Sequence, residues 1–464
     1  MDSIQNIVSQ INSSLSDYVL TAMLIGSGIF FTIRTRFVQI RCFGEGIRQV
    51  FGNFSLHGGK TGSGMSSFQA LSAAIAAQVG TGNIVGVSGA ILIGGPGAIF
   101  WMWVIAFLGM ATIYAEAVLA QQTRRLDSEG IILGGPVYYI KQAFPNRFGK
   151  FLAGFFAVAI IIGVGFMGCM VQANSIGETC HNAFGIPQWS VGIVIALLAG
   201  AVFFGGVSRL AGVTEKIVPF MAMFYLLGGF AVLALRFRFL PDTVSCIFKY
   251  AFSPEALLGG GLGHALKTML SQGIKRGLFS NEAGMGSTPH AHALAEVPSP
   301  HVQGTVAMIG VFIDTCVVLT MTAFIIISTI YTGEGPLANA DGSTYREMTA
   351  NAGLTQSNLV QYAISSVSTA AVGNVFVAIC LLFFAFSTIL SWNLFGKMNV
   401  RYLFGNKAVR LYSAAATALI LLGTILKSDL VWSLQDLLNQ LMVLPNVLAL
   451  VALSATVATA ARKN

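Results

Sequence analysis

The chain has 464 residues, of which 55% are hydrophobic and only 9% are charged, and its formal net charge is +8. Soluble domains carry roughly 25% charged residues, so this composition excludes a soluble globular protein and indicates an all-α polytopic membrane protein. The positive charge is expected in cytoplasmic loops. No basic run is interleaved with aromatic residues, so we expect the lipid bilayer as a partner and no nucleic acid.

Apolar segments long enough to cross a bilayer, which takes about 20 residues, recur along the chain. Eleven such windows fall at 18–34, 66–93, 97–123, 151–177, 189–206, 215–236, 257–295, 303–331, 366–396, 408–427 and 431–461. With the N-terminus outside, the cytoplasmic loops hold 18 Lys and Arg residues and the outside loops hold 5. This asymmetry predicts an external N-terminus and a cytoplasmic C-terminus.

The eleven windows divide into an accessory helix and two sets of five. With 18–34 set aside, the sets occupy 66–236 and 257–461, within one membrane domain spanning 1–464. Because five is odd, the second set starts from the opposite side of the membrane, which predicts two inverted repeats.

The first helix of the first set has a polar interruption at its centre. It runs from Gln78 to Asn83 and holds two glycines and three amide or hydroxyl side chains. Backbone groups freed by a break in a membrane helix persist only where protein or a hydrated ligand cavity satisfies them. The break therefore predicts a binding site, and the alternative is a Gly-rich helix crossing without a ligand.

The two half-helices at this break would present opposite partial charges. The N–H groups of Thr81, Gly82 and Asn83 open a half-helix whose dipole attracts an anion such as a carboxylate. Carbonyls at the end of the preceding half-helix, around Ala77 and Val79, suit a cation. Together the two ends would serve a zwitterion, or a zwitterion with Na⁺.

A second interruption lies in the corresponding helix of the second set, between Gly277 and Gly286. Its glycines allow the backbone to approach a small solute closely, and Phe279 could cover the apolar side of that solute. Two Gly-broken helices in corresponding halves of a chain are the pattern expected for the substrate site of an inverted-repeat transporter.

Several polar side chains inside other predicted spans are candidates of lower rank. Gln172 could reach the substrate or form a hydrogen bond between helices. Asp314 could line an ion path or hold the bundle together. Glu282, in the second break, is expected to pair with Lys275 or Arg276, and the alternative is a proton carrier.

The ninth span offers two adjacent hydroxyls, Ser387 and Thr388, which are hard oxygen ligands for a small cation. Hydroxyls that bond back to their own helix are the alternative. Trp392, one turn further along, either caps the pocket or packs in the core.

The sequence does not contain the motifs expected for a metalloenzyme or an ATP-driven transporter. His290, His292 and His301 show no metal-ligand spacing, so a zinc membrane hydrolase is the weakest interpretation. No phosphate loop is present, so a gradient must supply the energy. A disulfide framework is not indicated, although a bridge between Cys180 and Cys246 stays open.

Five stretches resemble the alanine/glycine:cation symporters, also called the sodium:alanine symporter family. They are Ser67–Leu71, Val79–Ile84, Gly94–Trp103, Lys275–Gly284 and Phe386–Ile389. The resemblance implies an inner-membrane symporter of the LeuT-type fold, within the amino acid/polyamine/organocation superfamily. It also implies a 5+5 inverted repeat with one extra N-terminal helix and broken first and sixth core helices.

The resemblance further implies roles for individual residues. The residues implied to bind substrate are Gln78, Thr81, Gly82, Asn83, Gln172, Gly277, Phe279 and Ser280. A sodium site is implied between carbonyls near Ala77 and Gly80 and the hydroxyls of Ser387 and Thr388. Trp392 is added to the pocket as its candidate cap.

We therefore predict a non-enzymatic symporter that imports alanine or glycine, or in some members glutamine, together with Na⁺. No cofactor beyond the coupling ion and no obligatory protein partner are expected. The alternatives are coupling to H⁺ and, as a different class, a passive channel that conducts without accumulation.

Overall fold

The computed structural model describes residues 8, 10–12, 14–52, 65–127, 130–259, 261–426 and 428–462. Within these residues the chain is predominantly helical, as expected where a bilayer offers no water to backbone groups. The strands are the two-residue elements Met65–Ser66, Arg125–Leu126, Ile132–Leu133 and Ala295–Glu296.

The main helices occur in the predicted order. They are α1 (15–34), α2 (Phe43–Phe51), α3 (Ser67–Gln78), α4 (Gly82–Gly94), α5 (Ala98–Thr123), α6 (Arg147–Phe184), α7 (Gln188–Phe203), α8 (Gly206–Leu235), α9 (Leu240–Phe252), α10 (Leu262–Asn281), α11 (Pro300–Tyr331), α12 (Ala370–Phe404), α13 (Asn406–Gly423) and α14 (Ser428–Ala452). Shorter helices are Val38–Arg41, Pro136–Ala143, Phe237–Phe239, Glu255–Leu258, Pro289–Ala293, Tyr345–Asn351, Leu359–Ser365 and Ser454–Arg462.

Every predicted window overlaps at least one of these helices. Over the described residues, six helices are long and apolar enough to cross a membrane, and α3 with α4 forms one further span bent by 44°. The remaining helices in the windows are shorter or less apolar, so the count of eleven spans stays a prediction.

The second break occupies only the later half of the stretch predicted for it, Gly277 to Gly286. Helix α10 continues without interruption through Gly277 and Ser280 and ends at Asn281. The turn that follows contains Glu282, Gly284 and Gly286, all with positive φ. Because positive φ is incompatible with a continuing right-handed helix, these three residues set the position of the break.

The helices pack into two groups. Helix α5 contacts α10 and α11, whereas α6 contacts α12 and α7 contacts α13. Helix α3 lies between the groups and touches α8, α11 and α12. Only 28% of the most apolar window of α8 is buried, against 67% for α5, so the apolar surface of α8 is available to lipid.

A short parallel ladder joins the beginning of α3 to the chain beyond the second break. Met65 pairs with Ala295 and Ser66 with Glu296, and the Met65 N–H donates to the carbonyl of Leu294 at 2.9 Å. The two broken segments are therefore tied together at one end.

The six cysteines are free thiols, so the disulfide left open by the sequence does not form. Cys180 is buried near the end of α6, and Cys246 is half-buried in α9.

Candidate functional site

The first break is closely packed because of its glycines. Helix α3 begins with a capping box between Ser66 and Gln69 and ends at Gln78. A Cβ atom added to Gly80 would lie 2.4 Å from the Thr388 hydroxyl oxygen. One added to Gly82 would lie 3.0 Å from the Phe279 ring. Side chains at these two positions are therefore excluded by close contact with α12 and α10.

Two amide side chains satisfy the N–H groups released at this break. The Gly80 N–H donates to Asn83 Oδ1 at 3.0 Å, and the Thr81 N–H donates to Gln172 Oε1 at 3.0 Å. The N–H of Thr81, predicted to bind a carboxylate, is thus occupied by a side chain from α6. Since a carboxylate oxygen is a stronger acceptor than an amide oxygen, a bound acid could replace Gln172 at this donor.

Two other polar atoms at the break are buried without a hydrogen-bond partner among the described residues. They are the hydroxyl oxygen of Thr81 and the amide oxygen of Gln78. Leaving a buried polar group unpaired costs about 1–3 kcal/mol, so such groups call for an explanation. A polar ligand at the break would supply the missing partners.

The second break has a strained backbone and a polar interior. Glu282 has φ 57°, a left-handed conformation that is uncommon for a residue other than glycine, and it is fully buried. Its carboxylate accepts a hydrogen bond from Trp392 Nε1 at 2.5 Å and another from the Ser287 hydroxyl. Strain of this kind persists only where the surroundings hold it in place.

Lys275 and Arg276, the predicted partners of Glu282, form ion pairs with a different acidic residue. Lys275 and Arg276 lie 3.8 and 3.3 Å from carboxylate oxygens of Asp436 in α14, and neither forms an ion pair with Glu282. The Arg276 guanidinium also stacks 4.7 Å from the Trp432 ring centroid. The expectation for Glu282 was wrong because its position after the end of α10 turns the side chain towards α12.

Direct contacts join the two breaks. Gln78 Nε2 donates to the carbonyl oxygen of Asn281 at 2.8 Å. Asp314, in α11, accepts hydrogen bonds from Asn83 at 2.7 Å and from the Ser280 hydroxyl at 2.8 Å. A third donor to Asp314, the Thr315 hydroxyl, lies at 2.8 Å.

Asp314 is therefore the central polar residue between the breaks, although the sequence placed it in a lower rank. It is fully buried, and no Lys, Arg or His among the described residues forms an ion pair with it. The signal that could have raised its rank is the carboxylate itself, since an acid inside a membrane span is a functional-site candidate by default.

One of the predicted cation ligands, Thr388, lies where α12 crosses the end of α3. The Thr388 hydroxyl lies 2.8 Å from the Ala76 carbonyl oxygen and 3.5 Å from that of Val79. These carbonyls come one residue before the predicted pair, Ala77 and Gly80. The Ser387 hydroxyl bonds the Phe384 carbonyl at 2.9 Å, one helical turn back, and the Thr388 hydroxyl also lies 3.0 Å from that carbonyl. Both contacts match the alternative in which these hydroxyls bond back to their own helix.

Aromatic rings enclose the site from the side of the second break. The Phe279 ring centroid lies 5.9 Å from that of Trp392 and 4.8 Å from that of Trp432. Trp392 in turn packs on Gly168, where an added Cβ would lie 2.4 Å from the indole. Trp392 is thus both a packed ring and a hydrogen-bond donor.

Most of the predicted substrate residues come together, and one faces elsewhere. The residues linked through direct contacts at the two breaks are Gln78, Thr81, Gly82, Asn83, Gln172, Phe279, Ser280 and Trp392. Gly277 instead faces α5, because a Cβ added there would contact Ile105 at 3.6 Å.

The three histidines do not form a common metal site. His290 bonds the Ser287 carbonyl and Asn399, whereas His292 bonds Gln303. Across the described residues, one group with metal-ligand atoms in reach is Cys42, Glu45 and His301. Both ring nitrogens of that histidine already have partners, Tyr114 at 2.7 Å and Glu45 at 3.2 Å.

Comparison with known proteins gives a consistent result. The family model described as "Sodium:alanine symporter family" matches residues 1–463. The sodium/alanine symporter AgcS of Methanococcus maripaludis is 39% identical over 457 residues, which are 97% of this chain and 95% of the relative. A Bacillus subtilis protein named "Probable sodium/glutamine symporter GlnT" is 37% identical, over 98% of this chain and 90% of that protein.

Solved structures show the same fold at low sequence identity. The crystal structure of MhsT in complex with L-phenylalanine superposes with a TM-score of 0.55 at 14% identity, and the match covers 87% of this chain and 98% of that chain. A manganese transporter of Eremococcus coleocola superposes with a TM-score of 0.52 at 13% identity, and the match covers 83% of this chain and 76% of that chain. The fold is LeuT-like, and from the family match and these relatives the chain belongs to the sodium:alanine symporter family.

Proposed function

We propose that this protein imports a small neutral amino acid together with Na⁺. Alanine and glycine are the first candidate substrates, and glutamine is the third. The observation that carries the proposal is the pair of broken helices, joined through Gln78 and Asp314, with the unpartnered hydroxyl of Thr81 beside them. The names of the relatives, which include alanine and glutamine symporters, support the same substrate class.

In this proposal the substrate carboxylate binds at the first break. The carboxylate replaces Gln172 as the hydrogen-bond acceptor of the Thr81 N–H. It also accepts a hydrogen bond from the Thr81 hydroxyl, at the positive N-terminal end of α4. Phe279 and Trp392 leave little room beside the backbone of Gly82. A short side chain fits this enclosure, and a large one requires the aromatic rings to move.

Sodium would bind between the end of α3 and α12. Its ligands would be the carbonyls of Ala76 and Val79 and the Thr388 hydroxyl, with Ser387 next to them. These are neutral oxygen groups of the kind that hard cations prefer. A cation there would stabilise the end of α3 and so prepare the first break for the substrate.

The proposed transport cycle follows from two inverted repeats, 66–236 and 257–461, after an accessory helix at 18–34. Rocking of one helix group against the other exposes the site to each side in turn. We place the protein in the inner membrane with its N-terminus outside. An inward-negative potential then contributes about 2.3 kcal/mol per charge per 100 mV. No cofactor beyond Na⁺ and no protein partner are part of the proposal.

Coupling to H⁺ is the second candidate, and Asp314 is the observation that favours it. Asp314 accepts from Asn83, Ser280 and Thr315, and no cationic side chain in the described part of the chain pairs with it, which favours a proton or another cation as its partner. Asp314→Asn removes this charge with little change in shape. Under H⁺ coupling the variant should lose uptake driven by a pH gradient, whereas under Na⁺ coupling alone it should keep the Na⁺-driven component.

The decisive experiment is uptake of labelled alanine, glycine and glutamine into proteoliposomes. An inward Na⁺ gradient, a pH gradient and no gradient are compared. Accumulation driven by Na⁺ alone supports the proposal, whereas equal entry without accumulation under every condition indicates a channel. The double variant Ser387→Ala with Thr388→Ala should raise the Na⁺ concentration required, and an unchanged Na⁺ dependence would show that the cation binds elsewhere.

A further inference from the structure

A cavity of about 380 Å³ lies away from the two breaks, between the turn that joins α7 to α8 and the turn that joins α12 to α13. Its lining includes Phe203, Phe204 and Val207 near the first turn and Lys397, Arg401 and Arg410 near the second. By the distribution of basic residues, this face of the membrane is the one predicted to be cytoplasmic.

The cavity has a strongly basic rim and no acidic residue in its lining. Arg401 Nε is buried and has no hydrogen-bond partner among the described residues. Lys397 Nζ donates to the Phe203 carbonyl at 2.5 Å and lies 5.4 Å from the centroid of that ring. Its remaining protons stay available. Three cations line one cavity that has no acidic side chain in its lining, so the cavity favours an anion from outside the chain.

Apart from Ser413, the rest of the lining has no polar side chain, and it reaches the outer surface of the protein at Phe204. Phe204 is 60% exposed, and Leu411, on the first turns of α13, is 75% exposed. Exposed large apolar side chains at the level of a basic rim are suited to hydrocarbon next to headgroups. The cavity therefore combines an anion-binding rim with an apolar wall, which is the chemistry of an amphiphile rather than of a zwitterionic amino acid.

We propose that this cavity binds an anionic phospholipid. The phosphate lies between Arg401, Arg410 and Lys397, and the first part of an acyl chain packs on Phe204 and Val207. Arginine guanidinium groups bind phosphate through paired N–H donors, and basic pockets between membrane helices bind anionic headgroups.

A lipid in this position would hold two parts of the transporter together. It would contact the α7–α8 turn and α12 at once, close to Leu394, two residues beyond Trp392. Leu294, which follows the second break in the chain, also lines the cavity. Occupancy should therefore stabilise the arrangement in which these segments approach one another.

The test uses the full-length protein in detergent with added phosphatidylglycerol or phosphatidylcholine, and native mass spectrometry counts the lipids retained. Each cation near a headgroup contributes about a fivefold preference for an anionic lipid, so Arg401→Gln with Arg410→Gln should lower the preference about 25-fold. Phosphatidylglycerol should also raise the thermal midpoint of the unmodified protein and not that of the double variant. If the double variant does not fold, Arg410→Gln alone, at an exposed side chain, should give about a fivefold loss.

The matched control is Lys407→Gln, which removes an exposed cation from the same turn outside the cavity lining. This variant should keep the full preference for phosphatidylglycerol. An equal loss in Lys407→Gln would show general surface attraction and overturn the proposal. Equal retention of both lipids by the unmodified protein would also overturn it. Displacement of the lipid by soluble glycerol phosphate at equal concentration would assign the rim to free phosphate compounds instead.

Discussion

The two breaks are made by different means. At the first, Gly80 and Gly82 allow close packing, and the freed N–H groups bond to the side chains of Asn83 and Gln172. At the second, the backbone itself is strained, with positive φ at Glu282 and Gly284. There the carboxylate of the strained residue is held by its own hydrogen bonds.

This difference indicates that the two breaks have different roles. The partners of the first break are side-chain amides that a ligand can displace without unfolding anything. The second break is held by hydrogen bonds that Trp392 and Ser287 donate to the Glu282 carboxylate. Asn446 also donates to the Gly284 carbonyl at 2.9 Å. These groups are hydrogen-bond donors, so a substrate carboxylate, which only accepts, cannot take their place. The first break is suited to binding and the second to support.

The largest effect is expected from Gly80→Ala. The new Cβ would lie 2.4 Å from the Thr388 hydroxyl, and overpacking of this kind costs about 1–3 kcal/mol. Amino acid binding should weaken about 10-fold to 100-fold, measured as the apparent KM for uptake. The control is Gly154→Ala in α6, where an added Cβ meets nothing within 4 Å. Equal losses in both variants would contradict a special role for the first break.

A pair of variants tests whether a ligand can replace the hydrogen-bond partners of the first break but not those of the second. Gln172→Leu leaves the Thr81 N–H unpaired, and Trp392→Phe removes a donor from Glu282, so each should lower the free energy of unfolding by about 1–3 kcal/mol. Added alanine should restore the thermal midpoint of Gln172→Leu and not that of Trp392→Phe. If alanine restored the thermal midpoint of both variants, or of neither, the proposed difference between the two breaks would be wrong.

Gly284→Ala should affect stability more than binding. At φ 90° a side chain is strained, and the new Cβ would lie 2.8 Å from the Leu24 side chain. The free energy of unfolding should fall by about 1–2 kcal/mol, with an unchanged apparent KM in the folded fraction. Gly263→Ala, in α10 with open space around the added Cβ, is the matched control. A raised KM in Gly284→Ala would place the second break in the binding machinery.

The smallest effect is expected from Thr388→Val, which keeps the shape of the side chain and removes the hydroxyl near the Ala76 carbonyl. The loss of one neutral ligand, about 1 kcal/mol, should raise the Na⁺ concentration for half-maximal uptake about fivefold. Thr388→Ser retains the hydroxyl and should stay close to the unmodified protein. A change in substrate KM at saturating Na⁺ would instead link Thr388 to the substrate.

The first break was predictable from sequence because its cause is local. Two glycines and three polar side chains between Gln78 and Asn83 are visible in any reading of the chain, and the helix axis bends by 44° there. The family was predictable for a related reason, since its motifs are short continuous stretches.

The second break and its electrostatics were less predictable because their causes are distant in sequence. The end of α10 depends on a left-handed Glu282 that is held by Trp392, 110 positions away. Lys275 and Arg276 pair with Asp436, which lies beyond any local pattern. Asp314 gains its importance only when α11 packs against both breaks.

The short parallel ladder between Met65–Ser66 and Ala295–Glu296 limits how many ways the site can open. It joins the start of α3 to the chain just after the second break, so a displacement of either segment carries the other with it. Two movable segments then share a single degree of freedom. We expect that this end of the site has one open and one closed arrangement, with no half-open form through which ions could leak uncoupled from substrate.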